Sequence, residues 1–113
     1  MFENLEVQLK RTKGWRMPTG AVKVARPTKW GNPFRTAEEY RLWLTTDWMP
    51  TGGFDGPNIW FRKNTGEWDR DKLASSRQEI LRALHFLRGK KLACFCPIGA
   101  GCHRIALIEL ANS

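Results

Sequence analysis

Apolar and polar residues alternate across Ala21-Val22-Lys23-Val24-Ala25, the period-2 pattern of a strand with one covered face. The run ends at Arg26-Pro27, because proline brings no N–H to a ladder and holds the residue before it extended. A loop, RPTKWGNPF (26–34), follows, in which Gly31-Asn32-Pro33 specifies a turn. Thr36 with Glu39 three residues on forms a capping box, and Tyr40, Leu42, Trp43 and Leu44 give the helix it opens an apolar face. Residues 46–69 show no clear period. The tetrapeptide MPTG occurs at 17–20 and 49–52, but in different flanks, and is not read as a repeat. From Asp71 a helical period returns through Leu73, Ile80, Leu81, Leu84 and Leu87, with Gly89 placed for a C-terminal cap. Lys90 and Lys91 lead into LACFC (92–96), a short apolar strand expected to be buried on both faces. The loop PIGAG then hands over to a helix from about Cys102 to Ala111.

Strand, loop, helix and later helix, strand, loop, helix is the order of an α/β domain with a largely parallel sheet flanked by helices. In such sheets ligands bind beyond the carboxyl ends of the strands, near a switch in strand order. The loops after strands 21–25 and 92–96 both leave carboxyl ends. If those strands are neighbours, RPTKWGNPF and CPIGAGCHR share one cleft, and the site is expected there.

The chain of 113 residues is expected to form a single domain, 1–113. Hydrophobic residues at 42% and charged residues at 27% exclude a disordered polyelectrolyte. No apolar run reaches the roughly 18 residues of a membrane span, and MFENLEVQLK lacks the apolar core of a signal peptide, so the expected location is the cytoplasm.

Charge is uneven. Residues 1–35 hold eight Lys or Arg against Glu3 and Glu6, and Trp15 and Trp30 lie among them. Cations neutralise phosphates and an indole offers a flat face to a base. Lys10, Arg11, Lys13, Trp15 and Arg16 are therefore candidates for nucleic-acid binding. The plainer reading is a solvated basic surface.

All three cysteines cluster near the end: Cys94, Cys96 and Cys102, followed by His103. An odd count within nine positions does not make a disulfide framework, and the thiols are expected to be reduced. Cys94 alone reads as a small buried hydrophobe. Cys96, Cys102 and His103 are the candidate catalytic groups. Cys102 would lie at a helix start beside His103 and Arg104, where dipole and cations favour a thiolate. The same start, with Gly101 exposing backbone N–H groups, suits a phosphate. Zinc is the alternative cofactor, through Cys96, Cys102 and His103; adjacent Cys102 and His103 chelate poorly, so none is the leading expectation.

Two segments, RPTKWGNPF (26–34) and LRGKKLACFCPIGAGCHRIALIELAN (87–112), together resemble the domain-of-unknown-function 4326 family of small bacterial and phage proteins. The tail is more distantly similar to the CHR ending of the domain-of-unknown-function 488 family. The resemblance implies a compact Rossmann-like α/β domain. It also implies Arg26, Lys29, Trp30, Asn32, Cys96, Cys102 and His103 as signature positions. Ile105 stands where the family commonly has an acid, and Arg104 replaces a small residue, which makes this site more cationic.

The leading expectation is a nucleotide or nucleic-acid phosphate bound between the two loops. Arg26, Lys29, Asn32, Gly101 and Arg104 would be its ligands, and Trp30 its stacking or wall residue. A Cys/His enzyme acting on a nucleotide or modified base is one alternative. A phage factor that binds a host protein through its basic face is another.

Overall fold

A computed structural model describes residues 5–26, 28–96 and 102–113. Three short strands, β1 (Glu6–Gln8), β2 (Val22–Lys23) and β3 (Leu92–Cys94), form a parallel sheet in the order β1-β3-β2. The last strand is thus the central one. Val7 lies opposite Ala93 on one side and Lys23 opposite Ala93 on the other. All three residues of β3 are buried, as the unbroken apolar run requires of a strand covered on both faces. The ladder is shorter than the alternating patterns: Val24 N–H still donates to Ala93 O at 2.8 Å, but Ala25 and Arg26 turn away.

Helix α1 (Ala37–Thr45) starts at the expected cap. Thr36 Oγ1 accepts from Glu39 N–H at 3.1 Å, and its hydroxyl donates to the Glu39 carboxylate at 2.9 Å. Tyr40, Trp43 and Leu44 go into the core. Helix α2 (Arg70–Ala83) is capped by Asp69 and buries Leu73, Ile80 and Ala83. It ends earlier than Gly89 suggests, because a tighter 3₁₀ turn, Leu84–Leu87, takes over. Gly89 then adopts φ +73°, the left-handed conformation that only glycine takes without strain. Helix α3 (His103–Ala111) is buried over most of its surface.

The segment without a clear period, 46–69, folds by contacts distant in sequence. Antiparallel bridges join Gly53 to Glu67 and Arg62 to Trp68. Phe34, Trp48, Phe54 and Trp68 form an aromatic cluster with ring centroids 4.7–5.4 Å apart. Gly56 lies so close to the Pro33 carbonyl and the Trp68 ring that a Cβ there would come within 2.5 and 2.6 Å of them. This seats the segment against the loop that follows β2.

No helix among the described residues is long and apolar enough to cross a membrane.

Candidate functional site

Because β2 and β3 are adjacent and parallel, the chain leaves both at the same edge of the sheet. There, residues of both loops line a cleft of about 330 Å³. One part of its lining is cationic, from Arg11, Arg26 and Arg35. The other is formed by Cys94, Cys96, Cys102 and His103. Asn32, Phe34 and Ala37 complete the side next to α1. No carboxylate lines the cleft among the described residues.

The loop 25–34 is shaped by local hydrogen bonds. Thr28 donates from both N–H and Oγ1 to Ala25 O, and Gly31 N–H donates to Thr28 O. Asn32 is buried. Its Oδ1 accepts from Phe34 N–H at 2.8 Å and its Nδ2 donates to Thr36 O at 2.9 Å, an Asx turn that links the loop to the cap of α1. Arg26 is exposed and donates to Asn32 O at 3.3 Å.

The sulfurs of Cys94, Cys96 and Cys102 all lie within 4.8 Å of one another. Those of Cys94 and Cys96 are 3.9 Å apart. Cys94 ends the central strand, and Cys102 is the N-cap of α3 without using its side chain as a cap. Three thiols this close lose protons unequally. Hydrogen bonds, first from Cys102, stabilise a Cys94 thiolate and lower its pKa to about 5. The same hydrogen bond, with burial, holds Cys102 protonated and raises its pKa.

His103 is buried, and its Nε2 lies 2.7 Å from Val24 O. A carbonyl only accepts, so Nε2 carries the proton and Nδ1, 3.6 Å from Cys102 Sγ, carries the lone pair. Burial lowers the His103 pKa against the opposing effect of the Val24 hydrogen bond. The ring is thus a neutral brace between α3 and the end of β2, with the Nδ1 lone pair facing Cys102 Sγ. Tyr40 packs edge-on to it, with centroids 5.2 Å apart, and donates its hydroxyl to Trp30 O at 2.7 Å.

Several expected ligands lie elsewhere. Arg104 is fully buried, and its guanidinium is directed into the molecule. Nε and Nη2 donate to Glu6 Oε1 at 3.2 and 2.8 Å, and Nη1 donates to the carbonyls of Val7, Cys94 and Cys96. A residue held by these bonds is a brace of the sheet edge, not a phosphate ligand. Trp30 is also buried, so its faces are not open to a base; Lys29 lies over its ring at 5.1 Å. Gly101 falls outside the described residues. Of the basic segment, Arg11 reaches the cleft, stacked 4.6 Å from the Phe95 ring centroid. Lys10, Lys13 and Arg16 are exposed and Trp15 half-buried, and none of the four lines the cleft.

Three features of the cleft and its surroundings carry little or no sequence signal. Cys94 belongs to the thiol cluster because Cys94 and Cys96 share a face of the chain; that period-2 spacing is the available signal. Arg35 follows the loop motif by one residue and lines the cleft. Trp60 has no such signal: it is exposed, with Lys72 Nζ 3.7 Å from its ring centroid, and lines a neighbouring groove that Arg26 also borders.

The chain belongs to the family described as Domain of unknown function (DUF4326). The family's model matches residues 7–113, which include most of β1 and both cleft loops. No curated protein and no solved structure matches the chain.

Proposed function

We propose that this family member binds a nucleotide through its phosphate in the cleft between the 26–34 and 94–103 loops. The observation that carries this reading is the charge of the lining: three guanidinium groups and no carboxylate among the described residues. Arginine suits the task because its planar fork matches phosphate oxygens two at a time. Two nine-residue helices, α1 and α3, also begin at the cleft, at Ala37 and His103, adding the positive ends of their dipoles. A volume of about 330 Å³ suits part of a mononucleotide more than a large cofactor. Arg26 stands between the cleft and the groove lined by Trp60, so a base can reach an exposed indole while its phosphate stays with the arginines.

Calorimetric titration with adenosine, AMP and ATP at low and high salt tests the reading. Affinity should rise with the number of phosphates and fall with salt, and Arg26→Ala should weaken ATP binding by about tenfold, the worth of one charge-assisted hydrogen bond. Equal binding of adenosine and ATP, or no binding of either at low salt, would overturn it.

A further inference from the structure

We propose that Cys94, Cys96 and Cys102 form a zinc site of three thiolates whose fourth position is left for a water or a ligand from the cleft. This rests on the sulfur geometry and stands whether or not the cleft binds a nucleotide. Tetrahedral zinc with Zn–S bonds of about 2.3 Å separates its sulfurs by about 3.8 Å. Cys94 and Cys96 already stand 3.9 Å apart, and no pair in the cluster exceeds 4.8 Å. Closing that difference takes side-chain adjustments of about 1 Å, without moving a strand or helix.

The backbone under the ligands is fixed independently of any metal. Cys94 O accepts from Leu9 N–H at 2.8 Å across the sheet. Arg104 Nη1 holds the carbonyls of Cys94 and Cys96 together, at 3.3 and 3.2 Å, and so sets the turn that brings their sulfurs to one side. Cys102 is fixed as the N-cap of a buried helix. Arg104 thus acts as a positioning residue for the ligand pair. Three thiolates leave a zinc centre with one negative charge, and Arg11 and Arg26, which line the same cleft, offset it.

The ligand set also selects the metal and the coordination number. Thiolates favour Zn²⁺ over the hard cations Mg²⁺ and Ca²⁺. His103 stands outside the cluster: Nδ1 is 3.6 Å from Cys102 Sγ, but the ligand atoms that lie within 4.8 Å of one another are those of the three cysteines. The intervening residues Pro97, Ile98, Gly99, Ala100 and Gly101 have no ligating side chain. Three protein ligands with one open position is the arrangement of zinc sites that act on a bound molecule, as opposed to closed structural ones.

The test uses the full chain, purified with reductant and stripped of metal, titrated with Co²⁺ as a spectroscopic substitute for zinc. The expected result is a thiolate-to-cobalt charge-transfer band and intense tetrahedral visible bands that saturate at one equivalent and vanish on adding Zn²⁺. Cys96→Ser is the chosen variant because Cys96 is the least buried of the three. Its circular dichroism should match the parent's, while its affinity for Co²⁺ falls by more than the roughly 10–100-fold typical of losing an outer-shell partner. His103→Gln should keep the thiolate bands. The proposal is overturned if the folded, reduced parent shows no charge-transfer band at one equivalent, if Cys96→Ser binds as the parent does, or if His103→Gln abolishes the bands in a folded protein.

Discussion

Arg26 and Arg104 carry the same charge and lie one in each of the two family motifs, yet their surroundings give them different tasks. Arg26 is exposed at the cleft; Arg104 is buried against Glu6, 98 residues away in sequence. Removing one partner of a buried ion pair leaves the other charged and unsolvated, so Arg104→Ala should cost about 3–5 kcal/mol in a denaturant titration. Arg26→Ala should change stability by no more than about 0.5 kcal/mol, because its side chain is solvated. Equal stability losses in the two variants would remove the distinction. His103→Ala should destabilise by about 1–3 kcal/mol, since it leaves the Val24 carbonyl without its donor. The residue types at the cleft are legible in the sequence as a cationic loop facing a thiol loop. Burial is not. It is decided by partners such as Glu6 and Val24, which no local spacing connects to Arg104 and His103.

At the scale of elements, legibility follows the source of each element's stability. Helices α1 and α2 are set by caps and a periodic apolar face close in sequence, and both lie where those signals stand. Strand β1 escapes the sequence pattern although Leu5, Val7 and Leu9 alternate with Glu6 and Gln8; three residues are too few to stand out without the partner strand. Residues 46–69 show no period because they are held by aromatic contacts and isolated bridges to distant residues. Gly56 shows how tight that packing is. Gly56→Ala must displace either the Pro33 carbonyl or the Trp68 ring and should cost about 1–3 kcal/mol, read as a lower thermal midpoint. An unchanged midpoint would mean that the segment is not seated on the cleft loop in solution. α1 has no basic residue in its last turn; instead Arg77 of α2 donates to the carbonyls of Trp43, Leu44 and Thr46, the kind of cross-helix cap a linear pattern does not reveal.

At the scale of the whole molecule, one topological fact positions the cleft. Adjacent parallel strands release their following loops at the same edge, so residues from 26–37 meet residues 94–96, 102 and 103 although about half of the chain lies between them. The positive charge does not all follow. Arg11 reaches the cleft, whereas Lys10, Lys13 and Arg16 remain exposed on the connection between β1 and β2. This division separates two kinds of anion binding. On the proposed reading, a mononucleotide held in the cleft would depend on Arg26 and be indifferent to Lys10, Lys13 and Arg16. A single-stranded oligonucleotide reaching beyond the cleft would depend on both. Replacing Lys10, Lys13 and Arg16 together by Gln should leave ATP affinity within about twofold, because none of the three lines the cleft and each is exposed to solvent screening. The same replacement should flatten the log–log salt dependence of oligonucleotide binding by about 2, at roughly 0.7 for each phosphate of a single strand that is no longer neutralised. Fluorescence anisotropy of a labelled oligonucleotide across a salt series measures that slope. If the slope is unchanged while ATP binding weakens, the β1–β2 connection serves the cleft and not an extended strand, and the expectation that Lys10, Lys13 and Arg16 bind nucleic acid fails while the nucleotide proposal survives.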